Sequence, residues 1–575
     1  MIEQPLSVLK FGSSVLGSEE DLSIAVQEIY RELCKGHRVV AVVSAFAGAT
    51  DRLLEKAERH FGDPQATSLA RLLATGETVA AASLGMVLDD AGVPNLVLEP
   101  QDVRLRTRGR VLDAEPDSVD VEALQTVLRE VPVVVLSGFA GQNDDGRPSL
   151  LGRGGSDLTA LFLARRLGAH TCRLIKDVDG LYTVDPHEHG DVARRYQFAS
   201  WEDALRVGGR LIQPKAVRYA KQHDLSFIVC AAGMGVGTKV GSGESKLEPC
   251  RPLPKPLRVG LAGLGTVGLG VYRWLRQRPA QFEIVRILVK DLEKPRPDDV
   301  EVALLTDDPW NLFDSRLDVV VELIGGTDTA GFLLRHGLAE GLDVVTANKA
   351  LIASTPAYLE RSGSLGDRLF FSASVGGSVP VLERLSRLSQ QFEIEQVEAV
   401  LNGTCNYVLD RMSAGCGFQE AIREAQEKGF AERDPGLDVS GMDAACKLAI
   451  TAAVAFGVVL DPNEIPCQGI DRVTPKEAQQ ARAKGAVLRL VARLSRTADG
   501  WQAQVAPMTL HSDDPLAKVR REGNAVVVRM RDGQRKVLWG KGAGRWPTTV
   551  AVVSDLLDLY RRRSRDESVI GLSIP

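Results

Sequence analysis

The feature that most constrains this chain is an apolar run at residues 257–262. It leads without a break into Gly263-Leu264-Gly265-Thr266-Val267-Gly268 and then into a helical pattern over residues 267–275. A buried strand, a glycine turn and a helix in that order open a βαβ unit, because glycine permits the tight turn, the close approach of a pyrophosphate and the packing of helix on strand. The first half carries a second glycine turn, Gly152-Arg153-Gly154-Gly155-Ser156-Asp157, just ahead of a helical pattern at residues 158–166. Two nucleotide signatures in series point to two chemistries on one chain.

At 575 residues the chain is too long for one hydrophobic core. The best boundary is GSGESKLEPCRPLPKP, residues 241–256, rich in Gly and Ser and then in Pro. Before it, β-rich runs at residues 6–11, 39–43, 131–136, 172–175 and 226–229 alternate with helical patterns such as 22–33 and 158–166, which predicts an α/β domain with a largely parallel sheet over 1–245. A linker, 246–256, separates it from a Rossmann-type domain, 257–390. Residues 391–540 mix strand and helix patterns, with helices near 418–427 and 443–455, and read as an α+β catalytic and dimerisation region. Residues 541–575 are expected to return to the nucleotide-binding domain.

The net charge of −5 offers no basic footprint for nucleic acid or a membrane surface, and Arg561-Arg562-Arg563 reads as a short solvated cluster. No stretch reaches the ~18 uninterrupted apolar residues of a membrane span. Eight cysteines without a C-x-x-C pair suggest a reducing compartment, hence the cytoplasm.

Phosphoryl transfer needs cations and backbone N–H donors around phosphate oxygens. Lys10-Phe11-Gly12-Ser13-Ser14 follows a strand and can supply both. In residues 152–157 the glycines allow close backbone approach, Arg153 offers a fork for a carboxylate, and Asp157 can cap a helix or hold an ammonium. With Ser44-Ala45-Phe46-Ala47-Gly48-Ala49-Thr50-Asp51, Thr75-Gly76-Glu77 and Asp177-Val178-Asp179-Gly180-Leu181-Tyr182-Thr183-Val184-Asp185-Pro186, these pieces make most of residues 6–241 resemble the aspartate kinase branch of the amino acid kinase family. The resemblance implies that Lys10 stabilises the transferring phosphoryl group of ATP, bound with Mg2+. It also implies that Glu77 and Arg153 clamp the amino and carboxylate groups of L-aspartate near Ser14, Ser44 and Thr50, and that Asp177, Tyr182, Asp185 and Arg210 meet the nucleotide. The acceptor carboxylate is already ionised, so no general base is required. The chain departs from the family at Ser13, where a glycine is usual, at Arg210, where a lysine is, at Gln213, where a histidine is, and at Lys176, where a small hydroxyl residue is.

In the second half Lys290, followed by Asp291, stands where NAD-type sites usually place an acid, which favours a 2′-phosphate and NADP(H) while leaving NAD(H) open. Further on come Thr346-Ala347-Asn348-Lys349, Asn402-Gly403-Thr404-Cys405-Asn406-Tyr407, Glu432, Asp438, Asp443 and Lys447. Asp443 and Lys447 are i,i+4 on one helix face, a spacing that most often gives a surface ion pair, although a reductase needs a lysine near its carbonyl. Together with Gly540-Lys541-Gly542-Ala543-Gly544 and Pro547-Thr548-Thr549, these motifs resemble homoserine dehydrogenase from about residue 257 to 559. The resemblance implies hydride transfer between NADPH, on residues 263–268 with Thr346 and Gly544, and L-aspartate 4-semialdehyde. Lys447 would be the acid/base, Lys349 would lie beside the nicotinamide, and Asn402, Glu432, Asp438 and Asp443 would hold substrate. It further implies a dimer through this half, with a tetramer open, and Na+ on the carbonyls of Val375, Gly377 and Val379, with Ser372 where an acid is usual.

The regulatory ACT modules of aspartate kinases have no place between residues 241 and 257, so feedback by threonine or lysine through them is not expected. The leading reading is thus a bifunctional enzyme of the aspartate pathway. A second reading makes the first half a non-catalytic binding or assembly module, motivated by Ser13, Arg210 and Gln213. A third makes it a kinase for another acidic amino acid.

Overall fold

The computed structural model describes residues 4–61, 64–186, 188–189, 192–209, 211–235, 237–248, 255–355, 368–432, 434–542 and 544–570, of which 564–570 are described by their backbone alone. The chain forms two compact units, Met1–Leu253 with Arg565–Pro575, and Pro254–Ser564.

The first unit is organised by a nine-stranded sheet with Thr171–Lys176 and Leu6–Phe11 at its middle, continuing through Arg38–Val43 and Val133–Ser137 to the edge strand Asn95–Leu98. These strands run parallel, and the four inner ones are buried almost throughout, as strands covered by helices on both faces must be. The Leu22–Cys34 helix buries Glu28 and Glu32, whose carboxylates lie 3.0 and 3.4 Å from Arg173 of a central strand. A separate four-stranded sheet built from residues 106–118 and 140–150 has no counterpart in the sequence-based expectation.

The Ala66–Asp90 helix is long and apolar enough to cross a membrane by length and composition. It lies against the edge strands, with Ala70, Leu73, Ala80, Ala81, Leu84 and Leu88 buried. Beyond residue 245 the sheet continues: Lys246–Leu247 pairs antiparallel with Tyr196–Ser200, and Glu248 receives Arg195. The kinase-like sheet therefore takes in the first residues of the expected linker.

The second unit opens with a six-stranded, wholly parallel sheet in the order Leu305–Thr306, Phe282–Leu288, Leu257–Ala262, Val319–Glu322, Asp343–Thr346, Leu369–Phe370. The Arg545–Ile570 helix comes back onto it with its residues up to 563, the Tyr560 ring lying 5.7 Å from Phe282. Here the arginine cluster differs from its expected solvation. Arg561 is buried, Arg562 lies 2.6 Å from Asp343, and Arg563 binds both Asp343 (2.8 Å) and Asp318 (2.6 Å) at the amino ends of two strands. Two acids brought together by parallel strands supply a partner that a linear reading of three arginines does not contain.

A five-stranded antiparallel sheet follows, in the order Gly500–His511, Ala486–Thr497, Ile394–Val400, Gly523–Met530, Arg535–Lys541. The Val381–Gln391 helix packs on Met442–Phe456 within its core, so this core reaches back before residue 391.

One buried acid, Asp555, is placed where its ionisation would couple the stability of this unit to pH. Burial, with Glu383 nearby, pushes the Asp555 carboxyl well above its usual range, although the Ser372 amide donates to it at 3.2 Å. The folded state thus favours the protonated acid, and that contribution to stability is full below the ordinary carboxylate range and lost as pH rises towards the folded value. Asp555→Asn is expected to raise the melting temperature at pH 8 more than at pH 5 in scanning calorimetry; an equal shift at both would show that ionisation of Asp555 is not the cost.

Candidate active sites

In the first unit the carboxyl ends of Leu6–Phe11 and Thr171–Lys176 lie side by side, Phe11 opposite Ile175. The crevice beyond such ends is where open α/β sheets bind ligands. Gly152 and Gly154 both take left-handed backbone conformations (φ +81° and +71°), and the Gly155–Arg166 helix starts directly after them. Asp157, in its first turn, makes no capping hydrogen bond. Instead its carboxylate meets Lys10 Nζ at 2.8 Å and Lys176 Nζ at 3.0 Å, all three side chains being buried. Burial alone would push that acid up, and the two ammonium groups outweigh it and hold Asp157 below its ordinary range.

Glu77 comes from the long Ala66–Asp90 helix and accepts from the Ala45 amide at 3.2 Å, because Gly76 lets that helix close on Ala45. Its second oxygen is buried without a partner, and burial pushes its carboxyl up to about 7. The loop after Val43 carries Ser44, and its Ala47 amide donates to the Leu16 carbonyl, which sets it beside the turn of Gly12 and the exposed Ser14. Thr50 lies in the first turn of the next helix, Ala49–Phe61. Arg153 is held apart from Asp157: it is 94% exposed and lies 3.5 Å from Asp51. Asp177 and Asp185 are exposed, while the Tyr182 hydroxyl donates to Asp179 at 2.7 Å. Gln213 packs against Gly154, and Arg210 lies outside the described residues.

In the second unit the glycine turn divides its labour. A Cβ on Gly268 would fall 2.0 Å from the Gly263 carbonyl oxygen, Gly263 itself has φ +100°, and Gly265 faces open space. The exposed Thr266 and half-buried Val267 start the helix there, Lys290 is exposed just past the second strand, and Gly325 and Gly326 are unobstructed beyond the Val319–Glu322 strand. Glu322, fully buried, accepts from the Ile324 and Gly325 amides and from Thr346 Oγ1, while Asn348 holds the Gly326 carbonyl at 2.6 Å. These contacts shape an open cradle fit for a dinucleotide; Glu322 belongs to none of the sequence motifs, and its signal is an acid ending an apolar strand before a glycine pair.

Asp443 and Lys447 form a buried pair rather than a surface one, 2.9 Å apart. Lys349 reaches the same carboxylate at 2.8 Å, Asn402 donates to Asp443 at 2.9 Å and to Asp438 at 2.7 Å, and Lys447 also donates to the Leu401 carbonyl at 2.6 Å. Burial opposes the charge of Asp443, but Lys447 and Lys349 together keep it below the usual range, and Asp443 in turn raises the Lys349 ammonium. Asn402 also caps the Gly403–Ser413 helix, which fixes its amide towards both acids. Glu432 is exposed, with its carbonyl accepting from Gln426.

The loop of Val375, Gly377 and Val379 closes on Lys541 and Gly542, and the Val379 carbonyl already accepts from the Val381 amide. Ser372 here faces Asp555. Gly544 (φ +129°) precedes the last helix.

Residues 5–231 match the amino acid kinase family, residues 263–362 the homoserine dehydrogenase NAD binding domain, and residues 380–557 homoserine dehydrogenase. The homoserine dehydrogenase of Bacillus subtilis is 35% identical over 318 residues, 53% of this chain and 73% of that protein. The chain belongs to the homoserine dehydrogenase family. That of Pseudomonas aeruginosa is 36% identical over 323 residues, 54% of this chain and 74% of that protein. The crystal structure of a homoserine dehydrogenase from Thiobacillus denitrificans superposes with a TM-score of 0.50 at 33% identity, covering 56% of this chain and 76% of that one. An amino acid kinase domain thus precedes the dehydrogenase domains in this chain.

The two glycines give a paired test of the dinucleotide cradle. Gly268→Ala has no room and is expected to unfold the domain or abolish cofactor binding, since overpacking costs roughly 1–3 kcal/mol or more. Gly265→Ala is expected to leave the melting curve unchanged and to weaken NAD(P)H binding at least about tenfold in a fluorescence titration, because its methyl group would stand where a phosphate approaches.

Proposed function

We propose that the chain catalyses two reactions of the aspartate pathway. The dehydrogenase half reduces L-aspartate 4-semialdehyde to L-homoserine, and the kinase half phosphorylates the β-carboxylate of L-aspartate with ATP. The observation that carries the first is the buried Asp443–Lys447 pair, reached by the half-exposed Lys349, beside the Asn402–Asp438 hydrogen bond. The dinucleotide supplies the hydride when bound on residues 263–268 and the cradle of Thr346 and Gly326. Lys447, fixed by Asp443 and the Leu401 carbonyl, delivers the proton to the developing alkoxide. Asp443, kept charged, orients both lysines, and Asp438 with Glu432 receives the substrate ammonium. The exposed Lys290 favours the 2′-phosphate of NADPH.

The kinase reading rests on the unpartnered oxygen of Glu77 near the Lys10–Asp157 pair. A buried acid pushed up to about 7 gains most from an arriving ammonium, which fits the amino group of aspartate. Arg153, exposed on its glycine turn, is free to swing from Asp51 to a substrate carboxylate.

Four outcomes are expected. Lys447→Met lowers kcat for homoserine oxidation about 10²–10⁴-fold with a smaller change in KM. Lys290→Ala raises KM for NADPH about tenfold while leaving NADH unchanged, read from initial rates. The full chain gives ATP-dependent hydroxamate with aspartate and not with glutamate, and Glu77→Gln raises KM for aspartate more than it lowers kcat. Homoserine oxidation without any hydroxamate signal would leave the first half as an assembly module.

A further inference from the structure

Lys176 ends the strand next to Lys10, and its ammonium lies 3.1 and 3.0 Å from the two oxygens of Asp157. Lys10 reaches the same carboxylate at 2.8 Å. The three side chains are 4%, 6% and 2% exposed for Lys10, Lys176 and Asp157 respectively, so two ammonium groups share one carboxylate away from bulk water. One lysine would neutralise Asp157; the second leaves a buried positive charge in excess, which is costly in an apolar setting unless something anionic completes it.

The charged groups facing Lys176 are Asp157 from its helix and Lys10 from the adjacent strand, with Glu77 beyond Lys10. Burial and Lys10 lower the Lys176 ammonium to about 8. The cluster sits at the carboxyl ends of central parallel strands, beside a turn whose two left-handed glycines expose backbone, and beside Gly12, which lies close under the Lys10 ammonium. An excess cation, a glycine turn and the carboxyl ends of parallel strands together describe a site for a phosphoryl group.

We propose that Lys176 is a second phosphoryl-binding lysine of the kinase site. It contacts the γ-phosphoryl of ATP opposite Lys10, and Asp157 is the positioning residue that holds both. The inference rests on the kinase reading and adds a residue that the matched motifs do not supply. In the step itself a carboxylate oxygen of the acceptor bonds to the γ-phosphorus while the bond from that phosphorus to the bridging oxygen breaks. ADP leaves with the electron pair, and no proton moves. The negative charge on the transferring oxygens is met by two fixed ammonium groups, whose mutual repulsion is relieved when the phosphoryl group lies between them.

The test uses the full chain with Lys176→Met and Lys176→Arg. Affinities for ATP and ADP are measured by calorimetry, which needs no acceptor, and hydroxamate formation with aspartate is followed against pH. Wild type is expected to prefer ATP over ADP, and Lys176→Met to lose about tenfold of that preference and about 10²-fold of kcat with KM for aspartate nearly unchanged. The wild-type rate is expected to fall as pH rises through about 8, and Lys176→Arg to carry that fall to higher pH. Should Lys176→Met not fold, the pH profile and nucleotide preference of Lys176→Arg decide.

An unchanged ATP preference and rate in Lys176→Met, or a Lys176→Arg profile superposing on wild type, would overturn the proposal and leave the aspartate reading standing. A Lys176-dependent ATP preference without aspartyl phosphate would uphold the proposal and remove aspartate as the acceptor. Absence of any ATP binding in wild type overturns both.

Discussion

Each unit is arranged around a buried carboxylate bracketed by two lysines: Asp157 between Lys10 and Lys176, Asp443 between Lys349 and Lys447. Removing an ion from water costs several kcal/mol, and one partner rarely repays it. Two partners do, and the result is a carboxylate that stays ionised and lysines that stay in place. Every surrounding choice serves that arrangement. The parallel strands set Lys10 and Lys176 side by side, the glycine turn brings Asp157 down onto them, and the Asn402 cap fixes an amide against Asp443 from a different helix.

The same device does different work in the two units. Next to Asp443 the neighbourhood is further acidic, with Asp438 and Glu432 raising the Lys349 ammonium along with Asp443 itself. That surplus of negative charge suits a substrate that carries an ammonium group. Around Asp157 the balance is reversed, with two lysines and an acid, Glu77, that burial pushes towards its neutral form. That surplus of positive charge suits phosphate. Local charge balance therefore distinguishes the two clusters, although both begin from an Asp between two Lys residues.

Much of the fold was legible because its signals are local. The strand at residues 6–11, the strand at 257–262 and the helix at 418–427 begin and end where apolar periodicity changes, and they are observed as Leu6–Phe11, Leu257–Ala262 and Phe418–Glu427. The small sheet of residues 106–118 and 140–150 was not legible, since its strands carry Arg106, Arg108, Arg110, Asp113 and Asp117 in place of an apolar alternation. Among the residues of the two candidate sites, Lys10, Asp157, Asn402, Asp443 and Lys447 stand in sequence motifs. Glu322 and Lys176 do not, and the meaning of each depends on what the neighbouring strand brings beside it.

By itself the sequence determined the strands and helices with strong local periodicity, the two glycine turns and the residue types available for charge, since these follow from periodicity and from the conformational freedom of glycine. Only the tertiary structure decided how those charges were paired. Asp157 could have capped its own helix, Asp443 and Lys447 could have met in solvent, and Arg562 and Arg563 could have been solvated; each instead found a partner 19 to 245 positions away or the shelter of a core. The physical reason is that a charge's environment is set by what packs around it in space. Electrostatic energy depends on distance and burial, and neither is written in the order of residues along the chain.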